Sequence, residues 1–538
     1  MSGSATRYAR VKEEDEVDEA TRPLGIFKLL TLSAGLGATQ LCWSVQNAYG
    51  TPYMNSLGIP AQYTALIWLA SPFAGAIVQP TIGPLSDETP GHFRRRSWLI
   101  GSTILTLIAL FYTSYAPEFA YAFSVPDASA KGTTLAIAIV SLWTANFALN
   151  GMQATVRDLV LDQAPAHQQP LANAWGTRFA DMIAVLGYFA GYFRLSTWRA
   201  LDWMGTGKNL QFRKLAFVSS VGSSALVVLV CVTQRERENR GIEGGGKGRM
   251  REVWGDVKKS VTELPVAVWR VCYVQVLAWC GYNCVLIYST TYVSSIVYST
   301  HPAGTDPPSS DEATRYGSFA LVLYSLVALG SSIVVPLICG IGSRPFVLRH
   351  SPRWIKRVLC VFTPRTMWTL GLLVFAVAMG STFAVKSVGE AQAVIAVVGV
   401  SWAIGEWVPY ALVLETVREL DQQPTSTSSS KPSSKPSPVP TIPIPAASST
   451  THSSPGGSFL GIHASSIVIA KIIMSSLASL IFKLYATQSG EETTSVGKGG
   501  AVWVLRFGGV MCVLAALASR WTLESSSEKV YKERLLRA

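Results

Sequence analysis

Apolar residues come in runs of roughly twenty along this chain, separated by short polar breaks, and a run of that length is what an α-helix needs to cross a bilayer. Twelve spans are predicted, at 26 to 49, 61 to 85, 97 to 116, 134 to 158, 173 to 193, 214 to 232, 268 to 292, 315 to 340, 366 to 386, 393 to 416, 460 to 485 and 500 to 521. The polar connection from Thr233 to Ser260 divides them into two sets of six. The expected plan is a cytosolic tail over 1–25, a six-helix half over 26–232, a cytosolic linker over 233–265, a second half over 266–521 and a cytosolic tail over 522–538. Within the second half, 422–458 is rich in Ser, Thr, Pro and Lys, a composition that builds no packed core, and is expected to be a disordered cytosolic insertion.

The fourth span breaks the apolar pattern. At about 100° per residue, Asn146, Asn150, Gln153 and Arg157 share one stripe of a helix. A guanidinium at the bilayer centre costs roughly 2.5 kcal/mol or more, so this face is expected to turn from lipid toward a bundle interior or watery cavity. Arg157 lies roughly 33 Å along a helix counted from Leu135, so a charge at the helix end is the competing reading for it and for the aspartates that follow. The three amides at mid-depth have no such alternative. In the tenth span Trp402, Glu406 and Tyr410 share a face at offsets of four, the counterpart in the second half.

Composition agrees with the pattern. Of 538 residues 49% are hydrophobic and 14% charged, with 16 Trp, which marks an integral membrane protein. The net charge of +12 lies in short runs beside apolar segments, as membrane flanks do, and does not point to nucleic acid. Arg94 to Arg96, the basic residues from Arg235 to Lys259, and those from Arg344 to Arg357 all fall on one side, which is therefore read as cytosolic; Arg194, Arg199, Lys208, Arg213 and Lys214 dissent. The eight cysteines show no metal-type pairing and read as small core residues. No phosphate-binding loop occurs, so neither an enzyme nor a nucleotide-driven pump is expected, and no cofactor. The acidic start, with Glu13 to Glu16 interrupted by Asp15, is unlike a cleaved signal.

Several motifs then occur in a recognisable order. Thr51-Pro52-Tyr53, Leu57-Gly58-Ile59-Pro60 and Ile67-Trp68-Leu69 precede Gln79-Pro80, Gly83 and Ser86-Asp87 with Arg94-Arg95-Arg96. Gln153, Arg157 and Asp162 follow, then Ala172-Asn173-Ala174, Gly187-Tyr188, Ser401-Trp402-Ala403 and Pro409-Tyr410-Ala411-Leu412. Together they resemble the proton-coupled sucrose and α-glucoside symporters in the glycoside–pentoside–hexuronide branch of the major facilitator superfamily, particularly the fungal ones. The resemblance implies an all-α membrane fold of about twelve helices in two six-helix halves. It also implies uptake of a disaccharide or glucoside, such as sucrose or maltose, by alternating access, with the proton as coupling ion. The expected location is a membrane, with the plasma membrane expected and both termini cytosolic. A non-transporting sugar sensor on the same fold is the alternative.

The chain also departs from that family. Phe93 stands where a Gly usually precedes the arginines, and Ala154-Thr155 replace Gly-Pro. Asn146 replaces an Asp of the plant relatives, and Tyr288 to Tyr292 replace acidic residues, which excludes coupling at those positions. The proton is expected on Asp162, by resemblance, or on Asp181, which stands three residues from Arg178 on one helix face and is equally readable as half of a structural pair. Rings stack on sugars while amides, carboxylates and guanidinium bind hydroxyls, so Trp43, Gln46, Tyr53, Trp68, Trp402 and Glu406 join the stripe as expected lining, each with core packing as its alternative. Asp87 with Arg94, Arg95 and Arg96 is expected to form a conformational latch; topology anchoring would explain the arginines alone.

Overall fold

The computed structural model describes residues 23 to 537 apart from 92, 124–126, 166–167, 206–208, 235, 237–254, 256–261, 263, 303, 305, 342–344, 422–454, 490–495 and 525. The expected disordered tail, linker and insertion therefore fall largely outside the described residues. Each predicted span is a helix. In the first six, α1 is Ile26–Val45, carried on through a π-helical turn, Gln46–Gly50, to Thr51–Ser56. α2 is Ala61–Ile67 resumed as Ala70–Glu88, α3 is Arg94–Ser114, α4 is Asp127–Gln163, α5 is Gln169–Tyr192 and α6 is Leu210–Thr233. In the second six, α7 is Val266–Ser299, α8 Ser310–Ile341, α9 Pro364–Ser381, α10 Val388–Asp421, α11 Pro455–Ser489 and α12 Val496–Ser519.

Among the described residues nine of these helices are long and apolar enough to cross a membrane, ten counting the bent pair Arg353–Leu359 and Pro364–Ser381. α1 and α5 are the two left out, because Gly, Ser, Thr and amide residues dilute their apolar content. α1 packs along α5 and α6, where small and polar residues let helices approach closely. Several helices overrun their predicted bounds. α4 has 37 residues, roughly 55 Å at helical rise, so its last turns stand beyond a hydrocarbon layer of about 30 Å.

Packing follows the two sets of six. α3 lies on α4, and α2 on α4; in the second set α7 lies on α12 and α11, and α10 on α8 and α9. Contacts between the sets run through α5 with α8, α2 with α11, and α1 with α7. They gather at the end opposite Arg94 to Arg96. There Thr51 Oγ1 donates to the Ile287 carbonyl at 3.1 Å, Ser318 Oγ to the Tyr188 carbonyl at 2.8 Å and Arg315 Nε to the Tyr192 carbonyl at 2.8 Å. Gly191 is needed at that seam, since a Cβ would collide with Ser318 and crowd Tyr49.

Two of the dissenting basic residues are explained by burial. Lys214 is 0% exposed, its ammonium bonded to Asp202 at 3.0 Å and to the Ser196 and Trp198 carbonyls. Arg213 pairs with Glu118 and donates to the Ser114 carbonyl at 3.1 Å. Both charges are spent inside the protein, so they carry little weight as membrane flanks. All eight cysteines are free, as expected. The tail holds a helix that composition did not predict: α13, Ser526–Arg537, which packs on Arg353–Leu359.

Candidate functional site

The amide stripe of α4 is buried against α1 and α2. Asn146 is 0% exposed and its Nδ2 donates to Gln46 Oε1 at 3.2 Å. Asn150 accepts from Gln79 Nε2 at 3.0 Å, and Gln153 from the same nitrogen at 3.4 Å. Gln79, which the sequence reading used only as a motif marker, is thus the amide that ties two members of the stripe together. Asn146 Oδ1 and Gln46 Nε2 are buried with no hydrogen-bond partner among the described residues. An unfilled buried polar atom costs about 1–3 kcal/mol, so this pair keeps one donor and one acceptor unspent.

Arg157, one turn beyond Gln153, is exposed and turned toward the second set of helices. It interacts electrostatically with Glu406 and Tyr410 of α10 and with Lys471 of α11. Asp181 of α5 in turn interacts with Glu406. Two carboxylates and two cations from four helices, drawn from both sets, are thus electrostatically linked. Arg178 does not pair with Asp181; its guanidinium lies 5.9 Å from the Trp175 ring centroid. The helix-face reading of that pair is corrected, because the carboxylate looks inward across the bundle and the arginine stays with its own helix.

An aromatic wall borders this charge cluster. Trp402 meets Trp279 edge-on at 5.4 Å between centroids, Tyr282 at 5.7 Å and Tyr324 at 6.2 Å. Glu406 and Tyr410 continue the same face of α10, and Tyr410 packs on His463 at 4.5 Å. Lys471 and His463 were missed by the sequence reading. A lysine midway along the apolar run of α11, whose other lysine, Lys483, stands near the helix end, is the signal that marks Lys471.

Other expected lining residues are elsewhere. Tyr53 stacks on Phe212 at 4.1 Å and donates to the Thr113 carbonyl at 2.6 Å, while Trp68 Nε1 donates to Thr51 Oγ1 at 2.9 Å with its ring against Gly50. Both are buried, with their polar atoms satisfied, and belong to the packing of the closed end. Trp43 is half-buried against the core of the first helices.

Asp162 lies at the far end of α4 in an arginine cluster, apart from Glu406. Arg94 pairs with it, and Arg95 Nε reaches it at 3.1 Å; Arg95 Nη1 lies 3.4 Å from Asp158 and bonds Ser86 and the Gly83 carbonyl. Arg96 Nε lies 3.2 Å from Glu236 Oε1, and the Arg95 and Arg96 backbone N–H groups both donate to that carboxylate. The arginines therefore tie the ends of α2, α3, α4 and the segment after α6. All these ties lie within one set of six helices, whereas the Asp87 side chain expected in the latch lies outside what the structure describes. Glu236 was missed because it sits in a charged run that reads as linker.

Solved structures with this arrangement carry little sequence likeness to the chain. A bacterial homologue of the human lysosomal transporter Spinster, in an inward-facing and occupied conformation, superposes with a TM-score of 0.57 at 12% identity, covering 93% of this chain and 97% of that one. A D-xylose–proton symporter superposes with a TM-score of 0.55 at 15% identity, covering 94% and 99%. The chain has the major facilitator fold. No protein-family model matches the sequence. Among individual proteins, the general alpha-glucoside permease of Schizosaccharomyces pombe is 27% identical over 92% of this chain and 93% of its own. A sucrose transport protein of Oryza sativa subsp. japonica is 26% identical over 62% of this chain and 69% of its own. The likeness thus extends over nearly the whole chain for the α-glucoside permease and over less than two thirds of it for the sucrose transport protein. These relatives are permeases and transport proteins, in agreement with a multi-pass membrane protein that is not an enzyme.

Proposed function

We propose that the protein is a proton-coupled symporter that carries sucrose or a related α-glucoside inward by alternating access. The observation that carries the reading is the central cluster of Asp181, Glu406, Arg157 and Lys471, drawn from both sets of helices beside an amide pair with unspent hydrogen-bonding atoms. Amides and an aromatic wall are the chemistry that binds a polyol with faces of opposite character. Buried carboxylates shared by the two sets of helices are where a proton changes its affinity as the bundle opens to one side and then the other. The named relatives support the substrate class.

The coupling carboxylates in this reading are Asp181 and Glu406. Asp162, held by two arginines at the helix end, stabilises the closed helix ends instead. The basic end faces the cytosol, both termini lie there, and the plasma membrane is the site of uptake.

The test is uptake of labelled sucrose and maltose by the full-length chain in cells that lack glucoside uptake, with sugar-induced proton current measured alongside. Accumulation against a gradient is expected for the wild type, its loss in Asp181→Asn, and its persistence per surface molecule in Asp162→Asn. Sugar binding without any uptake would replace the transporter reading by that of a sensor. Loss in Asp162→Asn with retention in Asp181→Asn would return coupling to α4.

A further inference from the structure

Lys471, half-buried, has a setting unlike that of Lys214 and Arg213. Lys214 and Arg213 are locked by carboxylates and carbonyls. Lys471 makes no direct ion pair or hydrogen bond among the described residues; its ammonium rests 5.0 Å from the centroid of the Trp279 ring. Trp279 abuts Trp402, which stands one helical turn before Glu406, so the ring that holds the ammonium is joined to the helix that bears the carboxylate. The charged groups that interact with this cation are Glu406 from α10 and Arg157 from α4; Tyr410 interacts with both of these, and Tyr282 of α7 packs edge-on against Trp279. On its own helix His463 lies two turns away, against Tyr410, and α12 presents Cys512 to Cys280.

With both carboxylates ionised the cluster sums to zero, two negative and two positive charges. A carrier must return empty after releasing proton and sugar, and an unbalanced charge at mid-membrane would oppose that return. A lysine suits the balancing role because it is a point charge on a flexible four-carbon stem, free to leave a ring for a carboxylate, whereas a guanidinium is committed to a planar fork.

We propose that Lys471 is the internal counter-cation that alternates with the transported proton. When Glu406 is ionised, the ammonium swings from Trp279 to the carboxylate and the empty carrier returns neutral. When Glu406 takes a proton from outside, Lys471 returns to the ring and the carboxyl group is released to the sugar; the proton leaves Glu406 for the cytosol after the sugar does. The idea rests on the symport reading above and adds the group that keeps the return step electroneutral.

The experiment compares wild type, Lys471→Gln, Lys471→Arg and the double variant Lys471→Gln with Glu406→Gln, each quantified at the surface of the same cells. Two quantities are read: uphill accumulation of labelled sucrose or maltose with its proton current, and exchange of labelled for unlabelled sugar, which needs no empty return. In Lys471→Gln accumulation is expected to fall on the order of 100-fold, the factor set by stranding one charge in the bilayer, with exchange reduced far less. Lys471→Arg is expected to recover part of the accumulation. The double variant, which removes both charges, is expected to reach the surface at the wild-type level even where Lys471→Gln alone does not, because no charge is left stranded. Accumulation by Lys471→Gln at the wild-type level overturns the proposal, as does a double variant that reaches the surface less well than Lys471→Gln alone. Absence of all sugar movement in the wild type would instead refute the symport reading and this one with it.

Discussion

The two sets of helices close their arginine-bearing ends with the same device at different depths. In the first set Arg96, at the start of α3, holds Glu236 just beyond α6. In the second Arg365, at the start of α9, reaches Glu524 just beyond α12, at 3.5 Å, while its Nη1 donates to the Thr522 carbonyl at 2.8 Å. The Glu236 side chain is 2% exposed and that of Glu524 is 37%. A buried carboxylate with a cation and two backbone donors cannot fall back on water, whereas an exposed one can. The difference teaches that the first set is clamped rigidly, and that the second is fastened by an acid that also serves the α13 tail, through Lys532 at 3.0 Å.

Glu236→Gln should therefore have the largest effect, about 3–5 kcal/mol, because it removes the charge of a buried carboxylate that pairs with Arg96 and accepts from two backbone N–H groups. A thermal unfolding midpoint in detergent equal to that of the wild type would break the comparison. Asp162→Asn is expected to cost less, about 1–2 kcal/mol, since Arg95 retains Asp158, Ser86 and the Gly83 carbonyl. The same unfolding assay ranks the two.

Glu524→Gln should cost no more than about 1 kcal/mol and show itself mainly as easier proteolysis within α13. The last expectation concerns acid. The hydrogen bond from Lys532 holds the Glu524 carboxyl below its ordinary value, so the docked tail binds fewer protons than the released tail. Docking is then complete above the usual carboxylate range, near 4, and is lost as pH falls through the lowered value. Hydrogen exchange in α13 should rise over that interval in the wild type and stay flat in Glu524→Gln.

Much of this molecule was legible because the bilayer leaves few choices. Twenty apolar residues can only be a helix, and amides at offsets of four and three can only share a face, so the spans and the stripe of Asn146, Asn150 and Gln153 were readable. Aromatic residues were not, because one ring serves packing and sugar equally: Trp402 stands in the central wall, while Tyr53 and Trp68 fasten the closed end. Lys471 was hidden because its own helix offers no carboxylate to pair with, and Glu236 by being one among many. Arg157 was ambiguous by depth alone; its direction, toward Glu406, depends on helices more than two hundred residues away in sequence.

The π-helical turn Gln46–Gly50 gives α1 a property that a regular helix lacks. At its first residue Gln46 accepts from Asn146, and just past its last Thr51 joins α7 across the seam between the two sets. A π turn stores one residue more than an α turn, and releasing it rotates the rest of the helix by about 100°. Such a rotation carries Thr51 off Ile287 without moving the chain before Gln46. The first helix is thus built as a screw with one slack thread, whose two ends bear on the amide pair and on the seam between the two sets.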